Sequence, residues 1–351
     1  MALTVGLDIG GTGIRAVALD SGKAPPTLRR VGSIPLEPGA VVAGEIIDEG
    51  AVSAAVGRLW KQHRLPKQRV VIGIGNQRVI VRQADVPRMT EDELREALPF
   101  QVQEYIPIPV EETILDFVPL EEFTTASGEA MLSILAVAAQ REMVESFLRA
   151  VKGAGIVPIA VDLHGFALVR ALLAGSFDLA GPQAIIDIGA SLTHVVLVRA
   201  GLPRFLRIIP KGGDEFTSTV ATKLELGFDE ADQLKRSVGV APEGPAPEGE
   251  DEEDRAKAVL TRTADVFIEE IRSSVNYYLT QAGEEGLSRL IVAGNSARLP
   301  HLATRIGHAL DARIEPARVL ESLDAGKVDQ AELSGQLPVL PAAVGLALWG
   351  T

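Results

Sequence analysis

Val5-Gly6-Leu7-Asp8-Ile9-Gly10-Gly11-Thr12-Gly13-Ile14-Arg15-Ala16-Val17 stands near the start of the chain. Ala184-Ile185-Ile186-Asp187-Ile188-Gly189-Ala190-Ser191-Leu192-Thr193-His194-Val195-Val196 repeats its pattern about half a chain later. Each stretch is a short apolar strand, then Asp-Ile-Gly, a small residue and a hydroxyl, then a second strand. A polar turn follows each, Asp20-Ser21-Gly22 in the first case and Arg199-Ala200-Gly201 in the second. This is the pattern of a β-hairpin with a tight glycine-containing bend. Its recurrence points to a duplicated architecture of two similar lobes.

Working outward, the chain alternates helices and strands. Val70–Ile74 and 79–85 are β-branched runs joined through Gly75-Asn76-Gln77, which predicts a hairpin. Thr90-Glu91-Asp92-Glu93 is a capping box that opens a helix through Leu94, Ala97, Leu98, Val102 and Tyr105. Pro99 should kink that helix, and Pro107 and Pro109 force an extended segment after it. Residues 142–152 read as an amphipathic helix, 156–161 as a buried strand and 166–173 as a helix. In the second half, helices are expected over 216–224, 230–237, 256–281 and 299–310, with a strand over 290–293. Residues 344–349 should return to the first lobe as a terminal helix. Residues 241–254 are rich in Pro, Gly and Glu and read as a mobile surface loop, with an acidic docking tail as the alternative.

Composition narrows the classes. The 351 residues include no cysteine, which excludes a disulfide scaffold, thiolate zinc sites, iron–sulfur clusters and a Cys nucleophile. With 34 Lys+Arg against 47 Asp+Glu, the formal charge is −13, which argues against non-specific binding to nucleic acid or an anionic membrane. The N-terminus lacks the basic region of a secretory signal. No window approaches the roughly 18 apolar residues that span a bilayer. A cytoplasmic protein of two domains is expected.

The two Asp-Ile-Gly bends are the leading candidates for chemistry. A glycine-rich bend exposes backbone N–H groups and lets a phosphate come close. Gly10, Gly11, Thr12 and Gly13 are placed to wrap a β- or γ-phosphate, and Gly189, Ala190, Ser191 and Thr193 to do so from the opposite side. Asp8 and Asp187, each at a strand end, would hold the water shell of Mg²⁺. Either loop alone reads as an ordinary hairpin; together they favour a ligand. A third feature runs from strand to helix through small residues, Leu290-Ile291-Val292-Ala293-Gly294-Asn295-Ser296-Ala297-Arg298-Leu299. His63, His164, His194, His301 and His308 read as scattered, with His301 and His308 about two turns apart on one helix, and no HExxH spacing occurs. No GxSxG elbow or GxxxxGK[ST] loop is present, and Trp60 and Trp349 read as packing residues.

These three motifs, in this order and spacing, resemble the actin/Hsp70/sugar-kinase superfamily of two-lobed ATP-binding proteins. Within it the chain is similar to the PilM family, actin-like proteins of type IV pilus assembly related to the FtsA division proteins. The most specific stretch is Gln103-Glu104-Tyr105-Ile106-Pro107-Ile108-Pro109-Val110-Glu111-Glu112-Thr113-Ile114-Leu115-Asp116-Phe117, following Asp85-Val86-Pro87-Arg88-Met89. Lys211-Gly212-Gly213-Asp214-Glu215-Phe216-Thr217, Glu230-Ala231-Asp232-Gln233-Leu234-Lys235-Arg236 and Ala343-Val344-Gly345-Leu346-Ala347 match further.

The resemblance implies an α/β, actin-like two-lobed fold of duplicated RNase H-like domains, with an inserted α+β subdomain. Lobe one would cover 1–182 with the insert at about 77–151, lobe two 183–337, and 338–351 would return to lobe one. ATP and Mg²⁺ would lie between the lobes, with Gly213 beside the nucleotide, Asp232 and Lys235 near ribose and adenine, and Gly294, Asn295 and Ser296 beneath the adenosine. The family also implies a seat at the inner membrane through a PilN-like protein. That partner's N-terminal peptide would bind between the first lobe and the insert, by Tyr105, Ile106, Pro107, Ile108 and Pro109; for Tyr105 a place in the core is the other reading.

The sequence departs from the family pattern in places. Arg15 stands where lysine is usual, Asn295 stands in a run commonly of glycines, and Asp232 replaces a commoner Glu. At the position from which related proteins orient the attacking water the chain has His164, with Asp162 two residues earlier. His164 reads either as an acceptor of the water's proton or as a structural, capping residue. ATP binding with slow or absent turnover is expected. A sugar or acyl kinase of the same superfamily is the alternative, since Asp8-Ile9-Gly10-Gly11-Thr12 also resembles the opening of glucokinases. Their cysteine-rich zinc segment has no counterpart here. The end of the chain lacks the basic face of an FtsA-like membrane helix.

Overall fold

The computed structural model describes residues 3–22, 24–173, 181–326, 328, 333 and 335–350. Met1, Ala2 and Thr351, included in the lobe boundaries above, lie outside the described residues.

The first hairpin is β1 (Leu3–Ile9) and β2 (Gly13–Asp20), and β3 (Thr27–Pro35) pairs antiparallel on the far side of β2. On the near side β6 (Val70–Ile74) and then β10 (Pro158–Leu163) run parallel to β1 and to each other, giving the order β10-β6-β1-β2-β3. Two short strands, β4 (Val41–Val42) and β5 (Glu45–Ile46), and the helix α1 (Glu49–His63) lie between β3 and β6.

The second half repeats this plan. β11 (Gln183–Ile188) and β12 (Thr193–Arg199) form the second hairpin, β13 (Leu202–Ile209) extends it, and β14 (Arg289–Ala293) and β15 (Ile314–Glu315) lie parallel on the other side. The order β13-β12-β11-β14-β15 is the first sheet over again. The central strands are buried along nearly their whole length, as apolar runs covered on both faces should be.

A third sheet is separate. β7 (Val79–Pro87), β8 (Thr113–Thr124) and β9 (Ala130–Gln140) form an antiparallel sheet in the order β7-β9-β8, with α2 (Glu91–Gln101) against it. Val86, Leu94, Leu98, Val102, Ile106 and Phe117 make its own small core. The following helix α3 (Arg141–Gly153) instead packs Met143, Val144 and Phe147 into the core of the first lobe.

Several local expectations change. β6 and β7 do not form a hairpin: β6 stays in the first sheet and β7 leaves for the third. Asn76 causes the departure, because its amide donates to the Gly44 carbonyl and its side-chain oxygen accepts from the Arg78 N–H, turning the chain out of the sheet. The capping box at Thr90 and Glu93 is formed, but the helix ends at Gln101, two residues after Pro99, and leaves Tyr105 in a following turn. The segment 241–254 is not all loop. Asp251 caps the long helix α7 (Glu252–Ala282), and the buried Ala241 donates its N–H to Thr261. His301 precedes α8 (Leu302–Ala309) rather than sharing it with His308.

The C-terminal helix (Pro341–Ala347) lies on β1 and on α4 (His164–Leu172). Two glycines permit that contact. A methyl at Gly6 would overlap the Ala343 carbonyl, and one at Gly345 would overlap the Ala167 carbonyl. Arg170 ties the two helices by donating to the Gly345 carbonyl at 2.9 Å.

Candidate functional site: two facing loops and a histidine pair

Each hairpin bend is closed by one short bond. Gly10 N–H donates to the Gly13 carbonyl at 3.0 Å, and Gly189 N–H donates to the Leu192 carbonyl at 2.9 Å. The N–H groups of Gly11, Thr12, Ala190 and Ser191 then have no acceptor among the described residues. The bends face one another, since a methyl on Gly11 would stand 3.5 Å from Ser191 Oγ. Unspent donors facing each other across a gap suit an anion, because each would otherwise need water.

The ladder register places the charges. Asp8 pairs with Arg15 in the first hairpin and Asp187 with His194 in the second. Arg15 Nη1 lies 3.3 Å from Asp8 Oδ2, while Asp8 Oδ1 is buried without a partner. Burial pushes the Asp187 carboxyl upward; His164 opposes this, Asp8 adds to it, and Arg15 opposes it. A carboxylate with an unsatisfied buried oxygen beside a second, half-buried carboxylate fits a hydrated cation between them.

His164, the first residue of α4, stands at the junction. Its Nδ1 is 3.7 Å from Asp8 Oδ1 and its Nε2 is 3.9 Å from Asp187 Oδ2. Both are beyond hydrogen-bond length. Asp162, two residues earlier, is held away by an ion pair with Arg170. His164 also stacks on His194, ring centroids 4.7 Å apart and planes 5° from parallel. The fold thus brings together two of the five histidines that the sequence presents as scattered. The signal was present in the repeat, where His194 occupies the place of Arg15. Burial, with His164 beside it, lowers the His194 pKa to about 3, so the ring is neutral. Its Nε2 is 3.2 Å from the Gly75 carbonyl, which can only accept, so the proton sits on Nε2 and Nδ1 carries a bare lone pair.

The third motif closes the site from below. Gly294 has φ +89° and passes directly under Ile188, where a side chain would strike backbone. Ser296 Oγ donates to the Gly189 carbonyl at 2.8 Å. Gly213, the first residue of α5 (Gly213–Leu224), donates its N–H to the same carbonyl at 3.0 Å. Thr193 is turned away from the gap and donates its hydroxyl to the Lys211 carbonyl.

Asp232 and Lys235, on α6 (Phe228–Val238), reach the back of Gly213. Lys235 Nζ lies 2.6 Å from Asp232 Oδ1 and donates to Thr217 Oγ1 at 2.6 Å and to the Gly213 carbonyl at 3.2 Å. Burial raises the Asp232 carboxyl, but Lys235, Arg236 and Thr217 outweigh it and hold it below its ordinary value. Asn295 is exposed.

The five residues expected to form a partner groove separate. Tyr105 lines a cleft of about 1420 Å³ between β7 and β13, which also presents Arg82, Arg204, Arg207, Phe205 and Tyr278. Ile106, Pro107, Ile108 and Pro109 line another groove of about 870 Å³ with Arg95, Phe100, Ile114 and Arg141. Ile106 is itself buried in the core of the third sheet.

A family model described as type IV pilus assembly protein PilM matches residues 6–351. The chain belongs to the PilM family. A solved PilM–PilN type IV pilus biogenesis complex is similar over 98% of this chain and 97% of its own, with 27% identity and a TM-score of 0.84. The cell division protein FtsA of Bacillus subtilis (strain 168) is 22% identical over 269 residues, 71% of this chain. The chain spans 60% of that relative's length. Two further structures share the fold: the ethanolamine utilization protein EutJ of Carboxydothermus hydrogenoformans, at 15% identity, and MreB 5 of Spiroplasma citri bound to AMPPNP, at 11%. The EutJ match covers 100% of this chain and 90% of the other with a TM-score of 0.58, the MreB match 100% and 96% with 0.54. The PilM fold is thus the actin-like two-lobed α/β fold, with a third sheet inserted in its first half. Among the described residues of this PilM-family chain, no helix is long and apolar enough to cross a membrane.

Proposed function

We propose that this chain is a nucleotide-regulated scaffold of a type IV pilus or related secretion or DNA-uptake assembly platform. In this reading it sits in the cytoplasm at the inner membrane and binds the N-terminal peptide of a PilN-like membrane protein. The unspent N–H groups of Gly11, Thr12, Ala190 and Ser191, facing one another between two equivalent hairpins, carry the nucleotide part. They would receive the phosphates of ATP, with Arg15 adding charge at the first bend. Asp8 and Asp187 would hold the water shell of Mg²⁺, which neutralises phosphate charge when bound. Gly213, Gly294, Asn295 and Ser296 form the floor for the nucleoside, and Asp232 and Lys235 hold that floor from behind.

The partner part rests on the similar PilM–PilN complex, whose fold matches nearly the whole chain. Partner binding would fall on the insert, where Tyr105, Ile106, Pro107, Ile108 and Pro109 line its two grooves. The residues around the carboxylates support a reading of slow or absent turnover. His164 is the side chain placed to accept a proton from water, and it touches neither Asp8 nor Asp187 at bonding distance. Closure of the lobes on nucleotide would then alter partner affinity rather than drive chemistry.

Fluorescent ATP titration tests the cleft. Gly10→Val or Asp187→Ala should weaken Mg-ATP at least about tenfold, a loss of about 1.4 kcal/mol. Unchanged affinity in both, in folded protein, would remove the assignment.

A further inference from the structure

His164, Asp187 and His194 offer ligand atoms that all lie within 4.8 Å of one another. We infer that these three side chains form a binding site for a divalent transition ion such as Zn²⁺ or Co²⁺, independent of nucleotide. Two imidazole nitrogens and one carboxylate oxygen suit such ions, whereas Mg²⁺ prefers an all-oxygen shell.

The groups behind the ligands are those a metal site requires. A ligating imidazole is held by what its other nitrogen contacts, commonly a backbone carbonyl or a carboxylate. His194 donates Nε2–H to the Gly75 carbonyl, which fixes the tautomer and leaves Nδ1 free. That Nδ1 is buried, has no hydrogen-bond partner, and stands 3.9 Å from Asp187 Oδ2. A bare buried nitrogen costs free energy unless something satisfies it. His164 presents Nε2 at the same 3.9 Å from the same oxygen, with Asp8 Oδ1 behind its Nδ1 at 3.7 Å. Asp8 Oδ1 is itself without a partner, so a proton on His164 Nδ1 would satisfy it once the ring settles on the ion.

One adjustment is required. The two rings are stacked in parallel, so a single ion meets both lone pairs only after one ring turns. A methyl on Gly75 would lie 2.9 Å from His164 Cβ and 3.4 Å from His194 Cδ2, which shows how closely glycine lets the pair seat. His194 is locked by its carbonyl bond and burial, whereas His164 is three times as exposed, 16% against 5%, and is the ring that turns. Three protein ligands leave a fourth position open for water or an anion.

The test uses the full chain, stripped with chelator and free of nucleotide. Cobalt is titrated in and followed by its visible absorption, then displaced with zinc. One Co²⁺ per chain is expected, released by equimolar Zn²⁺ and retained in millimolar Mg²⁺. His164→Gln and His194→Gln should each weaken cobalt at least about tenfold, since loss of an outer-shell partner alone typically costs that much and these are direct ligands. His164→Gln carries the test if the buried His194→Gln fails to fold. No cobalt spectrum, or binding undiminished in folded His164→Gln, overturns the site. Loss of ATP binding alone would leave it standing, because nucleotide is absent from the titration.

Discussion

Gly213→Ala tests whether the floor of the cleft is as tightly built as its contacts indicate. A methyl there would overlap Ser296 Oγ and stand 3.1 Å from Ser296 Cβ, while the next atom, the Gly189 carbonyl oxygen, is 3.8 Å away. One serine side chain is therefore the entire obstacle. Moving its hydroxyl forfeits the bond to the Gly189 carbonyl, worth about 1 kcal/mol. The remaining crowding needs a backbone shift, costing about 1 kcal/mol more. A total of about 2 kcal/mol corresponds to roughly thirtyfold if it falls on the nucleotide-bound, closed state. The assay is fluorescent ATP titration alongside thermal melting, for Gly213→Ala alone and combined with Ser296→Gly. The double variant removes both crowding atoms but still lacks the Ser296 bond, so it should recover about 1 kcal/mol, roughly fivefold in affinity, and the two changes should couple rather than add. Parent-like affinity in Gly213→Ala, or no recovery in the double variant, would refute the packing account.

Gly345→Ala should lose about 3 kcal/mol or more of stability, because the methyl would meet the Ala167 backbone; a melting curve like that of the parent would contradict the docking described here. Deleting 246–250 should leave melting and ATP binding near parental. Deleting all of 241–254 should lower the melting point, because Arg305 donates to the Ala241 and Gly244 carbonyls and Asp251 caps α7. Asp232 contributes to acid stability with a definite sign. Its folded carboxyl lies below the ordinary value of 3.8, so the unfolded chain binds the extra proton and stability rises with pH through that interval. The contribution is complete above 3.8 and is lost as pH falls through the lower folded value, and Asp232→Asn should flatten that part of an acid-unfolding profile.

The duplicated hairpin was legible because it is local: strand, bend and strand lie within thirteen residues, and the alternation of apolar and small residues encodes their geometry. The capping box at Thr90 and Glu93 was legible for the same reason. The β6–β7 connection was not, because period-two patterning cannot say which neighbour a strand pairs with, and the deciding bond runs from Asn76 to Gly44, far away in sequence. His194 shows the same limit at the site. Nothing local distinguishes it from a core histidine, and only the fold brings it onto His164, thirty residues earlier, between the two loops. Counting the hairpin register from each bend would have placed it opposite Asp187, as Arg15 is opposite Asp8. The split of Tyr105 from Ile106, Pro107, Ile108 and Pro109 depends on the third sheet's position against β13, which no run of residues specifies.

The most direct measurement is a calorimetric titration of the full chain with the cytoplasmic N-terminal peptide of its PilN-like partner, with and without Mg-ATP. The account predicts saturable one-to-one binding at about micromolar Kd, or about −8 kcal/mol, that changes severalfold with nucleotide. No heat from folded, ATP-loaded protein, or an affinity identical in both nucleotide states, would contradict it.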